Sequence, residues 1–168
     1  FKYIESERKI NCLFTLSDRS EIQLKGFIDR IDEVRDAIRI IDYKSGSGTS
    51  TFTTVESLFD MEEKDRAKAV MQVFMYSLMY GEVPAGKILQ PGIYYMRTLF
   101  SDSFDAAVSR RIERNRSERV TDYSDYSAAF EAGLRNCLDE IFGREKPFVQ
   151  TPTEKACAWC PFKDICGK

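Results

Sequence analysis

Two acidic residues and a lysine carry the first chemical signal in this chain. Asp29 lies in Gly26-Phe27-Ile28-Asp29-Arg30-Ile31-Asp32, and Asp42 and Lys44 lie in Ile41-Asp42-Tyr43-Lys44. Side chains alternate across a strand, so Phe27, Asp29 and Ile31 share one face, and Ile38, Ile40, Asp42 and Lys44 share one face of the next strand. A turn centred near residues 35–36 pairs 29 with 42 and 31 with 40. Two carboxylates side by side repel, and half-buried they are costly. A divalent cation that takes hard oxygen ligands, as Mg²⁺ does, relieves both penalties. Lys44 stands one side-chain period beyond Asp42, within reach of a water on that cation or of a phosphate oxygen. The competing reading is a solvated hairpin face carrying ordinary ion pairs. Asp32, Arg30 and Arg39 have the opposite parity and are expected to face solvent.

Strands over residues 9–18, 21–32 and 37–44 would position these groups as an antiparallel meander, with a turn at Asp18-Arg19-Ser20. Ser45-Gly46-Ser47-Gly48 ends the meander, and a Ser/Thr-rich loop runs to Thr54. A long helical segment is expected over 55–80, interrupted near 62–65. Its second half, 67–80, is apolar on most sides, and Gly81 suits a C-cap. Residues 92–98 read as a strand, 99–121 show no clean period, and 123–142 read as an amphipathic helix. The order β-β-β-α-β-α predicts an α/β or α+β sheet domain with an irregular C-terminal appendage.

The chain has 168 residues, 43% of them hydrophobic, which suits one domain with a sizeable core. It has no histidine, so imidazole catalysis from within the chain is excluded. A net charge of -2 excludes a nonspecific polycation but not a local basic patch. No apolar run approaches a membrane span and no signal peptide is visible. The start, Phe1-Lys2-Tyr3-Ile4-Glu5, reads as the beginning of a piece of a longer protein. Of five cysteines, Cys157, Cys160 and Cys166 fall close together as C-x2-C-x5-C. That cluster points to metal ligation in a reducing compartment, hence a cytoplasmic location, rather than to disulfides.

The segment Gly26–Asp32, followed by Ile41-Asp42-Tyr43-Lys44-Ser45-Gly46 and by Gln72-Val73-Phe74-Met75-Tyr76, resembles three successive motifs of one family. They are the G-x-I-D-R-I-D, D-Y-K-[ST]-G and Q-x-x-x-Y motifs of the RecB/AddB-like branch of the PD-(D/E)XK nuclease superfamily. The resemblance covers the chain from Gly26 onward. It implies a restriction-endonuclease-like mixed β-sheet core flanked by helices over residues 1–147, N-terminally truncated, with a cysteine-containing tail over 148–168. It implies metal-binding carboxylates at Asp29 and Asp42, a further ligand in the Tyr43 backbone carbonyl, and a water-activating lysine at Lys44. Gln72 and Tyr76, four apart on one helix face, would brace the site and contact substrate. The implied reaction is Mg²⁺- or Mn²⁺-dependent hydrolysis of DNA, from an end, in a recombination or repair protein that carries or binds a helicase.

The chain departs from that branch in two places. Many members place an upstream histidine in the metal site, and this chain has none. The cysteine tail is similar to the C-terminal part of an AddB-like iron–sulfur staple, whose fourth cysteine lies far upstream of the first motif. Cys12 and Cys137 match no such position, so Cys157, Cys160 and Cys166 are expected to ligate a [4Fe–4S] cluster in the parent protein and to be empty here, with zinc as the other occupant. Glu7 falls where members often carry a glutamate before the first strand. Arg110, Arg111, Arg114, Arg116 and Arg119, with only Glu113 and Glu118 among them, offer phosphate contacts or form a solvated loop. Tyr94, Tyr95, Tyr123 and Tyr126 offer base stacking, with core packing favoured for the first two. The rival functions are a noncatalytic DNA-binding or scaffolding module that kept the fold, and a metal-cluster interaction domain built on the tail.

Overall fold

The computed structural model describes residues 1–60, 66–81, 83–102, 104–143, 147–151, 154–158 and 160–167. The expected interruption near 62–65 lies outside them. Strands β1 (Lys2–Thr15), β2 (Glu21–Val34), β3 (Ala37–Lys44) and β5 (Ile88–Tyr95) form one mixed sheet in the order β1-β2-β3-β5. β1, β2 and β3 are an antiparallel meander, and β5 runs parallel to β3. The parallel pairing needs a crossover, and helix α1 (Lys68–Tyr80) supplies it across one face of the sheet. Gly81 follows α1 at φ 72 and ψ -97, a positive-φ backbone open to glycine. Helix α2 (Ser124–Phe142) packs against α1. Phe74 of α1 meets Phe52, Tyr123 and Phe130 edge-on, and all four are buried.

Several elements differ from expectation. β1 begins at Lys2, seven residues before residue 9, so Glu7 lies inside the strand rather than before it. The segment over 55–80 is a 3₁₀ turn at Glu56–Leu58 and then α1. The loop after Lys44 contains β4 (Thr51–Phe52). The featureless stretch before α2 contains a hairpin, β6 (Ser109–Glu113) and β7 (Arg116–Arg119). These three short strands form a second sheet, β4-β6-β7, with β4 parallel to β6. Its members carry mostly exposed polar side chains, so no period-2 apolar signal marks them. The cysteine tail holds one helical turn, Glu154–Cys157. Among the described residues no helix is long and apolar enough to cross a membrane.

The expectation that Asp32, Arg30 and Arg39 face solvent is wrong. Asp32 is fully buried on the sheet face away from the Asp42 side chain. Its Oδ1 and Oδ2 accept hydrogen bonds from Arg39 Nε and Nη2 at 2.6 and 2.8 Å, and Oδ2 accepts a third from Arg30 Nε at 3.0 Å. A buried carboxylate persists because its lone pairs are filled by two guanidinium groups. Parity alone assigns a face but says nothing of what covers it.

Candidate active site

The β2–β3 ladder runs from Val34↔Ala37 through Ile31↔Ile40 to Arg30↔Ile41 and stops there. The register is the expected one. Beyond the last pair, the Tyr43 N–H donates to Asp29 Oδ2 at 2.6 Å. A side-chain carboxylate thus replaces the missing ladder acceptor where the strands part. The side-chain alternation of β2 also slips here: Ile28 and Ile31, three residues apart, are both fully buried in one core, and Phe27 is 52% exposed instead of sharing the Asp29 face. Opposite Asp29, bracketed by the pairs Ser6↔Arg30 and Arg8↔Ile28, stands Glu7 with φ 52.

β3 continues to Lys44 against β5, with Asp42 beside Ile93 and Lys44 beside Tyr95. Asp42 is 1% exposed. Lys44 Nζ lies 2.6 Å from Asp42 Oδ2, and this ion pair is the contact made to that buried oxygen among the described residues. Lys44 Nζ also donates to Gln72 Oε1 at 2.7 Å, and Gln72 Nε2 donates to the Tyr76 hydroxyl at 2.7 Å. One relay therefore runs from Tyr76 through Gln72 to Lys44 and Asp42, joining α1 to β3. Lys44, which can only donate, fixes which way the Gln72 amide points, and the Tyr76 hydroxyl then accepts from Nε2. Gly26 makes room for the relay: a Cβ there would lie 2.9 Å from Tyr76 Cε1.

Burial pushes the Asp42 carboxyl above the ordinary aspartate range; Lys44 opposes the rise, and the nearby Asp29 charge adds to it. The fit to a divalent cation rests on this pair. Asp42 presents a buried carboxylate offset by Lys44, Asp29 spends only Oδ2 on Tyr43, and both offer the hard donors that Mg²⁺ and Mn²⁺ prefer. No group of three Cys, Asp or Glu side chains able to hold a metal occurs among the described residues. Tyr43 sits between Asp42 and Lys44 in sequence and is 40% exposed, with its ring against Tyr94 and its hydroxyl 3.5 Å from Arg30 Nη1.

The remaining sequence candidates fall elsewhere. Cys157 and Cys160 are half-buried and Cys166 is exposed, and all three are free thiols. The five arginines lie on or beside the β6–β7 hairpin; Arg119 is engaged by Asp105 at 2.7 Å, and Arg111 lines a cleft with Thr49 and Arg66. Of the four tyrosines, Tyr123 is buried in the core, against the expectation that singled out Tyr94 and Tyr95 for packing. Tyr95 instead donates its hydroxyl to the Thr49 carbonyl at 3.1 Å, holding the loop that follows Lys44. Neither that anchor nor Arg66 was legible in the sequence, because no motif or period marks them. The family model of the PD-(D/E)XK nuclease superfamily matches residues 1–167. No curated protein and no solved structure matches the chain.

Proposed function

The chain belongs to the PD-(D/E)XK nuclease superfamily, and on that premise we propose that it is a Mg²⁺- or Mn²⁺-dependent deoxyribonuclease, the exonuclease module of a longer RecB/AddB-like repair or recombination protein of the cytoplasm. Residues 1–147 would form its catalytic core, and residues 148–168 its cysteine tail, completed as an iron–sulfur site by a cysteine outside this chain. A helicase domain or subunit would deliver the DNA. The observation that carries the reading is the buried Asp42 carboxylate beside Asp29 and Lys44. Two neighbouring carboxylates, one of them buried with its pKa raised and offset by the Lys44 ammonium, form a site that gains from a divalent cation.

Each residue then has a task. Asp29 and Asp42 hold the cation, with the Tyr43 carbonyl as a further ligand. When bound, the cation supplies Lewis-acid polarisation of the scissile phosphate and acidifies the attacking water. Lys44 has three donors; Asp42 and Gln72 engage two, and the third is left for the attacking water or a phosphoryl oxygen. Gln72 and Tyr76 hold Lys44 against the large rotamer freedom of a four-carbon stem, so its charge is in place before the phosphate gains charge in the transition state.

The direct test is degradation of linear duplex and single-stranded DNA by the protein with Mg²⁺, with Mn²⁺ and with EDTA. Cleavage with either metal and none with EDTA is expected; binding of DNA without cleavage under every metal condition would favour the noncatalytic reading.

A pH dependence follows from Asp42. Its raised pKa means that the folded, metal-free chain holds this proton more tightly than the unfolded chain does. The associated stability is present at low pH and is lost as pH rises through the Asp42 titration. The cation needs the deprotonated carboxylate and competes with that proton. Mn²⁺ affinity, read from the free-ion electron paramagnetic resonance signal, is expected to fall on acidification from a pH above the ordinary aspartate range. An affinity that holds steady until ordinary aspartates protonate would remove Asp42 from the ligand set.

A further inference from the structure

Two clefts meet at Arg66. The first, about 540 Å³, opens beside Lys44 and is walled by the Gly46–Thr49 loop, Lys68 and Tyr95. The second, about 230 Å³, continues to Thr51, Ser57 and Arg111. Thr49 and Arg66 line both, so the two make one trough that leads away from the candidate catalytic lysine. Its loop wall is held in place. Tyr95 binds the Thr49 carbonyl, the Thr51 N–H donates to Thr49 Oγ1 at 3.0 Å, and a Cβ on Gly48 would lie 2.5 Å from the Tyr95 hydroxyl oxygen.

The charge in this trough is one-sided. Lys44, Arg66, Lys68 and Arg111 line it, and among the described residues no Asp or Glu does. Arg66, Lys68 and Arg111 form no ion pair with any described carboxylate. In a chain of net charge -2, three cations without a described carboxylate partner, in one concavity that also carries threonine and serine hydroxyls, form a site for a line of phosphates. The first cleft has the volume of ordinary small-ligand pockets, room for roughly one nucleotide beside Lys44.

We propose that this trough binds the sugar–phosphate backbone of the DNA strand being cut, on one side of the scissile phosphate, with Arg66 clamping a phosphate at the junction of the clefts and Arg111 holding the next part of the strand. The proposal rests on the nuclease reading above and adds the path of its substrate. Of the five arginines at positions 110–119, only Arg111 lines the trough, while Arg66 lies outside that basic stretch altogether.

The test is fluorescence anisotropy of a labelled single-stranded oligo-dT in EDTA, where no cleavage occurs, over a salt series. Arg66→Ala and Arg111→Ala are each expected to weaken binding about five- to tenfold near 0.1 M salt and to flatten the slope of log affinity against log salt by about 0.7. Arg66→Lys should restore the slope. Lys25→Ala, the loss of an exposed charge on β2, should leave both unchanged. With Mg²⁺, Arg66→Ala should raise KM and keep kcat, because a flanking phosphate contact is equal in ground and transition states. Wild-type affinity and slope in both arginine variants, with cleavage intact in the unmutated protein, would overturn the trough and leave the nuclease reading standing. Unmutated protein that neither binds nor cuts DNA would overturn both. Should Arg66→Ala fold poorly by circular dichroism, Arg111→Ala and Arg66→Lys decide the matter.

Discussion

Lys44→Ala is expected to slow DNA cleavage by about 10²–10³-fold while divalent-ion binding survives. Its ammonium lies beside Asp42, held by Gln72 2.7 Å away, and removing it strips charge stabilisation from the transition state. The same ammonium sits 2.6 Å from Asp42 Oδ2, where it competes with a metal for that oxygen. Mn²⁺ affinity in Lys44→Ala is therefore expected to hold or rise. Asp42→Ala should lose both metal and activity, because Asp29 alone gives one side-chain carboxylate to a cation that needs several oxygen ligands. Lys44, 30% exposed at its side chain and still bonded to Gln72, remains solvated in that variant, so the fold survives. Single-turnover cleavage together with Mn²⁺ titration separates the two outcomes. Parallel loss of metal binding in both variants would make Lys44 a structural partner of the acids and not a group acting on the phosphate. Cleavage at the unmutated rate in either variant would hand the protein to the noncatalytic reading.

Asp32→Ala is expected to be strongly destabilising, at about 3–5 kcal/mol, and so to lower Tm by on the order of 10 °C. Asp32 is fully buried and receives three hydrogen bonds from Arg30 and Arg39, whose side chains are only 20% and 21% exposed. Truncation leaves two close guanidinium groups with nothing between them. Asp105→Ala gives the contrast: its ion pair with Arg119 is 45% exposed at the aspartate and 67% at the arginine, and its loss should cost under about 1 kcal/mol. Thermal or urea unfolding of the two variants checks both figures. Equal, small shifts would mean that the Asp32 cluster is not the clamp on β2 and β3 described above. Such a loss of stability is separate from catalysis, since Asp32 lies on the sheet face away from the Asp42 side chain.

Much of the site's frame was legible because it depends on short-range regularities. The spacing of Asp42 and Lys44 is one strand period, and Gln72 and Tyr76 are one helical turn apart, so each pair shares a face in any fold that keeps those elements. The turn near residues 35–36 set the register Ile31↔Ile40 by chain length alone. The helix α2 was marked by its buried Phe130 and Leu134, one turn apart. The short strands β4, β6 and β7 left no such mark, since their side chains mostly face water and their pairing partners are distant in sequence.

What the sequence by itself determined, then, is which residues must be neighbours along a strand or helix: Asp29 near Asp42, Lys44 beyond it, and Gln72 over Tyr76. The tertiary structure alone decided what each of them faces. It buried Asp32 by bringing two arginines onto it, shifted the β2 alternation so that Ile28 replaced Phe27 in the core, and swung Gln72 onto Lys44 by laying α1 across β3. It also brought Arg66 beside Thr49 and Arg111 to form the trough. The physical reason is that periodicity is a property of the backbone and is written locally. Burial and ion pairing depend on contacts between residues far apart in the chain, which no local spacing encodes.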